Sequence, residues 1–336
     1  MYEGNGDTSN DTYISNVGID LETSGGLVWV KARTNYNHLL MDSVRGTSSL
    51  TSNDTTTQRT NYNRFKSYEG NGFMIRANNA ADLYKINRTG NDFVAWVWKG
   101  GGAAVTDSST GTISTDISAN TDAGFSIATY TGAGYPNSTT AEVPHGLTQA
   151  PELVIIKGTG GTGQSSGAGS WVVGSSLLGS GWDGSMYLNS DAAYYTTVNY
   201  FWNGAATNSV VKLKNDWFVN GNNNNYVMYS WHSIAGYSKI GTYIGSNPTK
   251  TTVTLGFEPS WIMIKSTSHA YNWYILDNKR SPTGNWDEYL YANTSAAEGT
   301  SGGNWIKPTS NGFETNATGG SVTNANGVNY VYMAFK

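Results

Sequence analysis

The chain has 336 residues, of which 13% are charged and 13% aromatic, with 41 glycines, no cysteine and a formal net charge of −4. That length allows two or three domains of about 100–200 residues. The charge balance gives no clustered basic surface for nucleic acid, no window holds the roughly 18 apolar residues of a membrane-spanning helix, and the lack of cysteine removes disulfides and thiolate metal sites. What remains is a packed, β-rich protein whose surface is solvated by Asn, Ser, Thr and Gly, the residues of hairpin turns.

Read in order, the chain repeats itself three times. Leu27-Val-Trp-Val-Lys31 leads to His38-Leu-Leu-Met-Asp42, Pro151-Glu-Leu-Val-Ile-Ile-Lys157 leads to Trp171-Val-Val173, and Pro259-Ser-Trp-Ile-Met-Ile-Lys265 leads to Tyr274-Ile-Leu-Asp277. Each unit opens with a Tyr and Gly pair (Tyr2 and Gly4, Tyr130 and Gly132, Tyr243 and Gly245). Each closes with an apolar-aromatic run, Phe93 to Lys99, Tyr226 to His232 and Tyr330 to Lys336. A unit of about 100 residues is too long for a solenoid turn and suits a small β domain. The predicted fold class is therefore all-β, with three tandem antiparallel β-sandwich modules: residues 1–100, a linker at 101–124, then 125–233 and 234–336.

Within module one, the continuous apolar run at Leu27 reads as a strand buried on both faces or as one lining a sandwich core. The Thr, Ser and Asn tract from Thr47 to Asn63 reads as a long exposed loop. The linker begins with Gly100-Gly-Gly102, and Ile113 and Ile117 imply that part of it packs. Module two opens on the alternating strand Phe125 to Tyr130 and carries Gly158-Thr-Gly-Gly-Thr-Gly163. That spacing matches a dinucleotide loop, but a strand rather than a helix follows, so a hairpin loop is the better reading. Trp182, Tyr194, Tyr195 and Trp202 stand where the sister modules are polar. They form either a local core or a sticky face, and are the candidates for ligand or subunit contact. Module three follows with almost no linker, so modules two and three should pack closely. The three lysines Lys31, Lys157 and Lys265 should superpose, and Trp29, Ile155 and Trp261, aligned together as the residues two positions ahead of them, should be buried on one face.

No catalytic constellation emerges. The four histidines lack zinc-peptidase spacing, and Gly299-Thr-Ser-Gly-Gly303 matches a nucleophile elbow only in letters, because loop residues surround it. Asp42 with Arg45 and Asp277 with Arg280 occupy equivalent positions and read as turn-closing pairs; module two has Gly174-Ser-Ser176 there, with neither acid nor base. No metal, no cofactor and no enzymatic activity are expected.

The motifs Gly236-Tyr-Ser-Lys-Ile-Gly-Thr-Tyr243, Gly256-Phe-Glu-Pro-Ser-Trp261, Asp42-Ser-Val-Arg-Gly46, Val94-Ala-Trp-Val-Trp-Lys99 and Thr121-Asp-Ala-Gly-Phe-Ser-Ile127 resemble the repeat region of tail-fibre and related virion surface proteins of marine tailed bacteriophages, of cyanophage and pelagiphage type. The resemblance implies lectin-like, jelly-roll-type sandwiches on the virion exterior, as a separate small virion protein or a fragment of a longer fibre. It also implies a tail-fibre or receptor-binding role against host-surface glycan. A ligand-free fibre or capsid-decoration building block is the alternative, and a polysaccharide depolymerase a more distant one. Expected partners are other virion proteins and the chain itself, as a homotrimer, because self-association would supply buried area that three small sandwiches lack.

Overall fold

The computed structural model describes residues 1–60, 64–76, 85–163, 169–196, 200–282, 284–300, 306–317 and 320–336. Strand makes up 44% of the structure and helix 4%, so the all-β expectation holds. Among the described residues helix occurs as single turns such as Leu21–Ser24 and Trp217–Asn220.

Module one contains β1 (Tyr2–Glu3), β2 (Thr12–Ser15), β3 (Gly26–Ala32), β4 (Leu39–Asp42), β5 (Ser49–Leu50), β6 (Phe65–Glu69), β7 (Gly72–Ile75) and β8 (Asp92–Lys99). Module two contains β9 (Val105–Asp107), β10 (Thr115–Asn120), β11 (Phe125–Thr131), β12 (Ala141–Pro144), β13 (Leu153–Gly161), β14 (Val172–Ser175), β15 (Met186–Tyr187), β16 (Val210–Leu213) and β17 (Asn224–Trp231). Module three contains β18 (Ser238–Ile244), β19 (Thr252–Thr254), β20 (Trp261–Ser266), β21 (Tyr274–Asp277), β22 (Glu288–Tyr291), β23 (Gly299–Thr300), β24 (Ile306–Thr309), β25 (Gly312–Thr315) and β26 (Asn329–Phe335).

Each module pairs a large sheet with a small one. The large sheets run β1-β8-β3-β4-β5, β15-β14-β13-β17-β11-β10-β9 and β18-β26-β20-β21-β22-β23; the small ones are β2-β7-β6, β12-β16 and β19-β25-β24. The central strands are buried on both faces, as their continuous apolar runs require. Val28 and Val30 of β3 face the module's own outer core with Phe65, Phe73 and Ile75. Leu27 and Trp29 face the other way, into a core shared by all three modules. Leu153, Ile155, Tyr229 and Trp231 enter that core from module two, and Trp261, Met263, Met333 and Phe335 from module three. Three large sheets therefore close around one apolar centre within a single chain.

The registers make the repeat exact to the residue. Leu27 lies opposite Trp98, Leu153 opposite Trp231, and Trp261 opposite Phe335. Lys31, Lys157 and Lys265 are thereby equivalent, and Trp29, Ile155 and Trp261 are all buried. One detail of the expected alignment changes. Trp261 stands four residues before its lysine, level with Leu27 and Leu153, while Met263 is the counterpart of Trp29 and Ile155. All six share the inward face, because positions two apart on a strand point the same way. Trp261→Ala is expected to cost about 3–5 kcal/mol; an unchanged melting temperature would refute this placement.

The opening Tyr and Gly pair also acquires a physical reason. Tyr2, Tyr130 and Tyr243 stack on Phe93, Tyr226 and Tyr330 at 5.1, 5.1 and 4.8 Å. Their hydroxyls donate to the carbonyls of Ile86, Val219 and Thr323 at 2.7, 2.6 and 2.6 Å. The next residues, Asn87, Asn220 and Asn324, are buried, and each accepts a main-chain N–H from Asn5, Ala133 or Ser246. Gly4, Gly132 and Gly245 run so close to the neighbouring carbonyls that a Cβ would collide with main chain. The pair is a clamp that fixes the first strand of each repeat onto its last.

Two expectations need correction. The 101–124 segment is not a linker: β9 and β10 lengthen the large sheet of module two, and β10 pairs with β11 over its whole length. Gly101 N–H donates to Ser118 Oγ at 3.0 Å, which ties the glycine run down. Nor is the Thr47–Asn63 tract wholly exposed. Ser49, Leu50, Thr51 and Ser52 are buried, since Ser52 Oγ donates to Ala292 O of module three at 2.6 Å; residues 61–63 lie outside the described residues. The turn between β17 and β18 is short, as expected, closed by Ser238 N–H to Ile234 O at 2.9 Å.

Candidate functional site

Three junctions join the modules, and the same positions build each of them. His38, Trp171 and Trp273 stand immediately before β4, β14 and β21, and all three are buried. His38 Nε2 meets Tyr291 O of module three at 2.8 Å, Trp171 Nε1 donates to Thr51 O of module one at 2.9 Å, and Trp273 Nε1 donates to Tyr187 O of module two at 2.9 Å. The contacts run from one to three, three to two and two to one, the closed heterologous pattern of a ring. His38 Nδ1 accepts from Trp29 Nε1 at 2.8 Å, so in the neutral ring the hydrogen sits on Nε2, where Tyr291 O receives it. Burial holds the His38 pKa well below its ordinary value. Trp273→Phe keeps the ring but strands a buried carbonyl, at an expected cost of about 1–3 kcal/mol in urea unfolding.

At two junctions a carboxylate and a guanidinium lie beneath this layer. Asp42 Oδ2 meets Arg45 Nε at 2.6 Å and accepts the Tyr229 hydroxyl of module two at 2.6 Å. Asp277 Oδ2 meets Arg280 Nε at 2.7 Å and accepts Trp96 Nε1 of module one at 3.0 Å. Burial pushes the Asp277 carboxyl up, but the Arg280 charge and the hydrogen bonds from Arg280 and Trp96 outweigh it, so its pKa is lowered. Trp96, Tyr229 and Met333 are equivalent by register. The third junction, where Met333 could donate nothing, has Ser175 and Leu178 in place of acid and base. Each pair does close a turn, through Arg45 N–H and Arg280 N–H at 2.9 Å from their aspartates, but it is also a lock between modules.

The three equivalent lysines are fully buried and rest on carbonyls. Lys31 Nζ donates to Ala32 O and Thr34 O at 2.5 and 2.7 Å, Lys157 Nζ to Thr55 O of module one and Gly169 O at 3.0 and 2.7 Å, and Lys265 Nζ to Ser266 O and His269 O at 2.6 and 3.3 Å. Burial brings Lys31 down to about 7, and Lys157 and Lys265 down to about 8. Their place was legible in the sequence; their burial was not.

The aromatic residues of module two do not form an open face. Trp202 is fully buried, its indole N–H donating to Gly184 O and Ser185 Oγ at 3.0 and 2.8 Å, with Trp182 against it at 5.1 Å. Gly174 leaves no room for a Cβ beneath the Trp202 ring. These two are outer-core packing residues and are withdrawn as ligand contacts. Tyr194 is half-buried at the junction with module three, where its N–H donates to Thr267 O at 2.8 Å and its hydroxyl to Asp183. Tyr195 is half-buried with its hydroxyl 2.6 Å from that of Tyr187. The Gly158–Gly163 stretch ends β13 through a bulge between Gly158 and Gly160, and residues 164–168 lie outside the described residues. Gly299 and Thr300 form β23; residues 301–303 of that motif lie outside as well.

A cleft of about 710 Å³ runs along β8, lined by modules one and three and by Asn120, Asp122 and Ala123. Val94, Trp96, Trp98, Trp261 and Phe335 form its apolar wall, and Lys99, Lys279 and Lys336 stand exposed at its rim. The Trp261 indole N–H has no partner. Sequence reasoning missed this cleft, because it arises from strands far apart in the chain. Among the described residues no group of His, Asp and Glu could hold a metal ion.

No curated protein and no solved structure matches the chain. The family model for a domain of unknown function (DUF7483) matches residues 1–336, the whole length, and the protein therefore belongs to that family.

Proposed function

We propose that the chain is a non-enzymatic structural building block of a tailed-phage virion exterior, working through contacts with neighbouring polypeptides. The observation that carries this reading is the use made of its reactive side chains. The best matched acids, bases and imidazole are buried at module junctions, where they hold the ring closed rather than face a substrate. The phage setting rests on the sequence motifs quoted above. The receptor-binding reading, in which host glycan stacks on aromatic side chains, loses Trp182 and Trp202 to the core and retains only the half-buried Tyr194 and Tyr195.

The threefold arrangement anticipated between subunits has a counterpart inside the chain. Three sandwiches sharing one core no longer need self-association to bury enough surface, so we propose that one chain forms the pseudo-trimeric unit. Light scattering should then give a particle near 36.1 kDa; three times that mass would restore the homotrimer. Antibody labelling of phage particles in the electron microscope tests the location, with label expected on the tail or head exterior. Tight binding on a glycan array, abolished by Tyr194→Ala with Tyr195→Ala, would return the receptor-binding reading to first place.

A further inference from the structure

Modules one and two, and modules two and three, follow one another in the chain, whereas modules one and three meet only in space. Their seam is closed by charge as well as by packing. Arg33, just after β3, pairs with Glu298 at 2.5 Å and with Glu288 at 3.8 Å, and the Glu298 N–H returns to Arg33 O at 2.8 Å. The Ala297 N–H donates to Asn35 Oδ1 at 2.6 Å, and Ser52 Oγ to Ala292 O at 2.6 Å. The junction of modules two and three is built differently. Ser175 and Leu178 bring it no charge, and the Trp273 indole and the Tyr194 N–H donate across it to Tyr187 O and Thr267 O. The peptide between these two modules is a closed reversal, in which Ser238 N–H donates to Ile234 O at 2.9 Å and Ile234 N–H to Ser238 O at 3.1 Å. Ala235, Gly236 and Tyr237 at its tip are exposed, and Gly236 takes a φ of +74° there.

We propose that module three is an exchangeable unit, and that its partner is a second copy of this chain. Module three of one copy closes the ring of the other, between that copy's modules one and two, and the second copy returns the exchange. The ring geometry carries this inference. Every junction that holds module three is heterologous, so a second copy presents the same two complementary surfaces as its own chain does. Glu288 and Glu298 meet an Arg33, and Trp273 meets a Tyr187, whichever copy supplies them. Exchange therefore keeps every junction and changes only the reversal from Ile234 to Ser238, which opens into an extended crossing. A connection this short has little slack, and short hinges between packed units are the ones that exchange. Intact, the reversal holds module three over its own ring at an effective concentration on the order of millimolar, so the dilute chain is the closed monomer.

Exchange rests on the reading that one chain makes a whole ring, and the two are tested apart on the purified protein. A variant lacking Ala235 and Gly236 has too little chain to reverse between Ile234 and Ser238. Its particle mass in light scattering should double, to twice 36.1 kDa, with the circular dichroism of the parent. Asn35→Cys with Ala297→Cys, at two exposed positions of a chain that has no other cysteine, then reports where the seam is made. A short bismaleimide cross-linker should join the two sites within one chain in the parent and between two chains in the shortened variant, read on a denaturing gel. A folded, shortened variant that stays monomeric overturns the proposal, as does a dimer whose seam cross-links within each chain. If the shortened variant fails to fold, the same cysteine pair in the chain with its full hinge decides. Refolded from urea at roughly millimolar concentration it should give seam cross-links between chains, and at micromolar concentration within one. Cross-links within one chain at both concentrations overturn the proposal. A parent that scatters at three times 36.1 kDa removes the one-chain reading, whereas a parent of single mass whose seam never cross-links between chains removes exchange alone.

Discussion

Arg280→Ala is expected to cost about 3–5 kcal/mol of unfolding free energy, because it leaves the buried Asp277 carboxylate without its cation and takes from Glu298 one of its two guanidinium partners. The Arg280 side chain is fully buried, and it meets Asp277 at 2.7 Å, Glu298 at 3.1 Å and Ile275 O at 2.9 Å. Its guanidinium also lies 5.7 Å from the centre of the Trp96 ring. Glu298 in turn holds Arg33 of module one at 2.5 Å, so the loss spreads across the junction of modules one and three. The third junction shows how the same place is filled without charge, with Ser175, Leu178 and Met333. The triple substitution Trp96→Met, Asp277→Ser and Arg280→Leu copies that solution. It should recover a large part of the loss, since a well-packed apolar replacement for a buried ion pair is often neutral. Equilibrium unfolding in urea measures both. A loss below about 1 kcal/mol for Arg280→Ala would mean that the pair is a surface-like contact, contrary to its burial.

Much of this architecture could be read in the chain, because strand periodicity and the three-times-written motif are local signals. The positions of Lys31, Lys157 and Lys265 fixed the alignment of the repeats, and the absence of acid and base after Val173 marked module two as different before any contact was known. What could not be read is the ring. Trp29 and Val28 carry the same apolar signature, yet one faces the central core and the other the module's own. Alternation along a strand gives two faces without saying what covers each. The Thr47–Asn63 tract misled for a related reason. Its polar residues suit solvent, but Thr51 and Ser52 satisfy neighbouring modules through hydrogen bonds that leave no periodic trace. Trp182 and Trp202 fall on the core side of the two readings left open for them, a choice the sequence does not make, since density of aromatics distinguishes neither core from surface nor ligand from packing.

Stability should rise as the pH is taken from 7 to 9, against the usual decline of proteins in alkali. Each of the three buried lysines has its folded pKa depressed by burial, Lys31 to about 7 and Lys157 and Lys265 to about 8, while an unfolded lysine titrates near 10.4. Between those values the unfolded chain binds more protons than the folded one, so unfolding becomes less favourable as protons are withdrawn. The contribution is complete above the unfolded pKa and lost as the pH falls through the folded values. Glu298 favours the charged form of Lys31 and Arg280 opposes it; Asp54 and Asp191 favour the charged forms of Lys157 and Lys265, but in each case burial is the larger effect. The window is open to measurement. His38 and His145, also depressed by burial, add only a small rise of the same sign that is over by about pH 8, since an unfolded histidine titrates near 6.5. The buried tyrosines Tyr130, Tyr229 and Tyr243, raised by burial, act with the opposite sign only above about pH 10. Summed over three sites the gain from pH 7 to 9 is on the order of 3–5 kcal/mol, read as a rising urea midpoint at constant slope. The variant Lys31→Met, Lys157→Met, Lys265→Met starts from a different stability, since it strands carbonyls, but its profile over the same range should be nearly flat. A parent profile that is flat or falling between pH 7 and 9 would show that the three ammonium groups reach water in the folded chain.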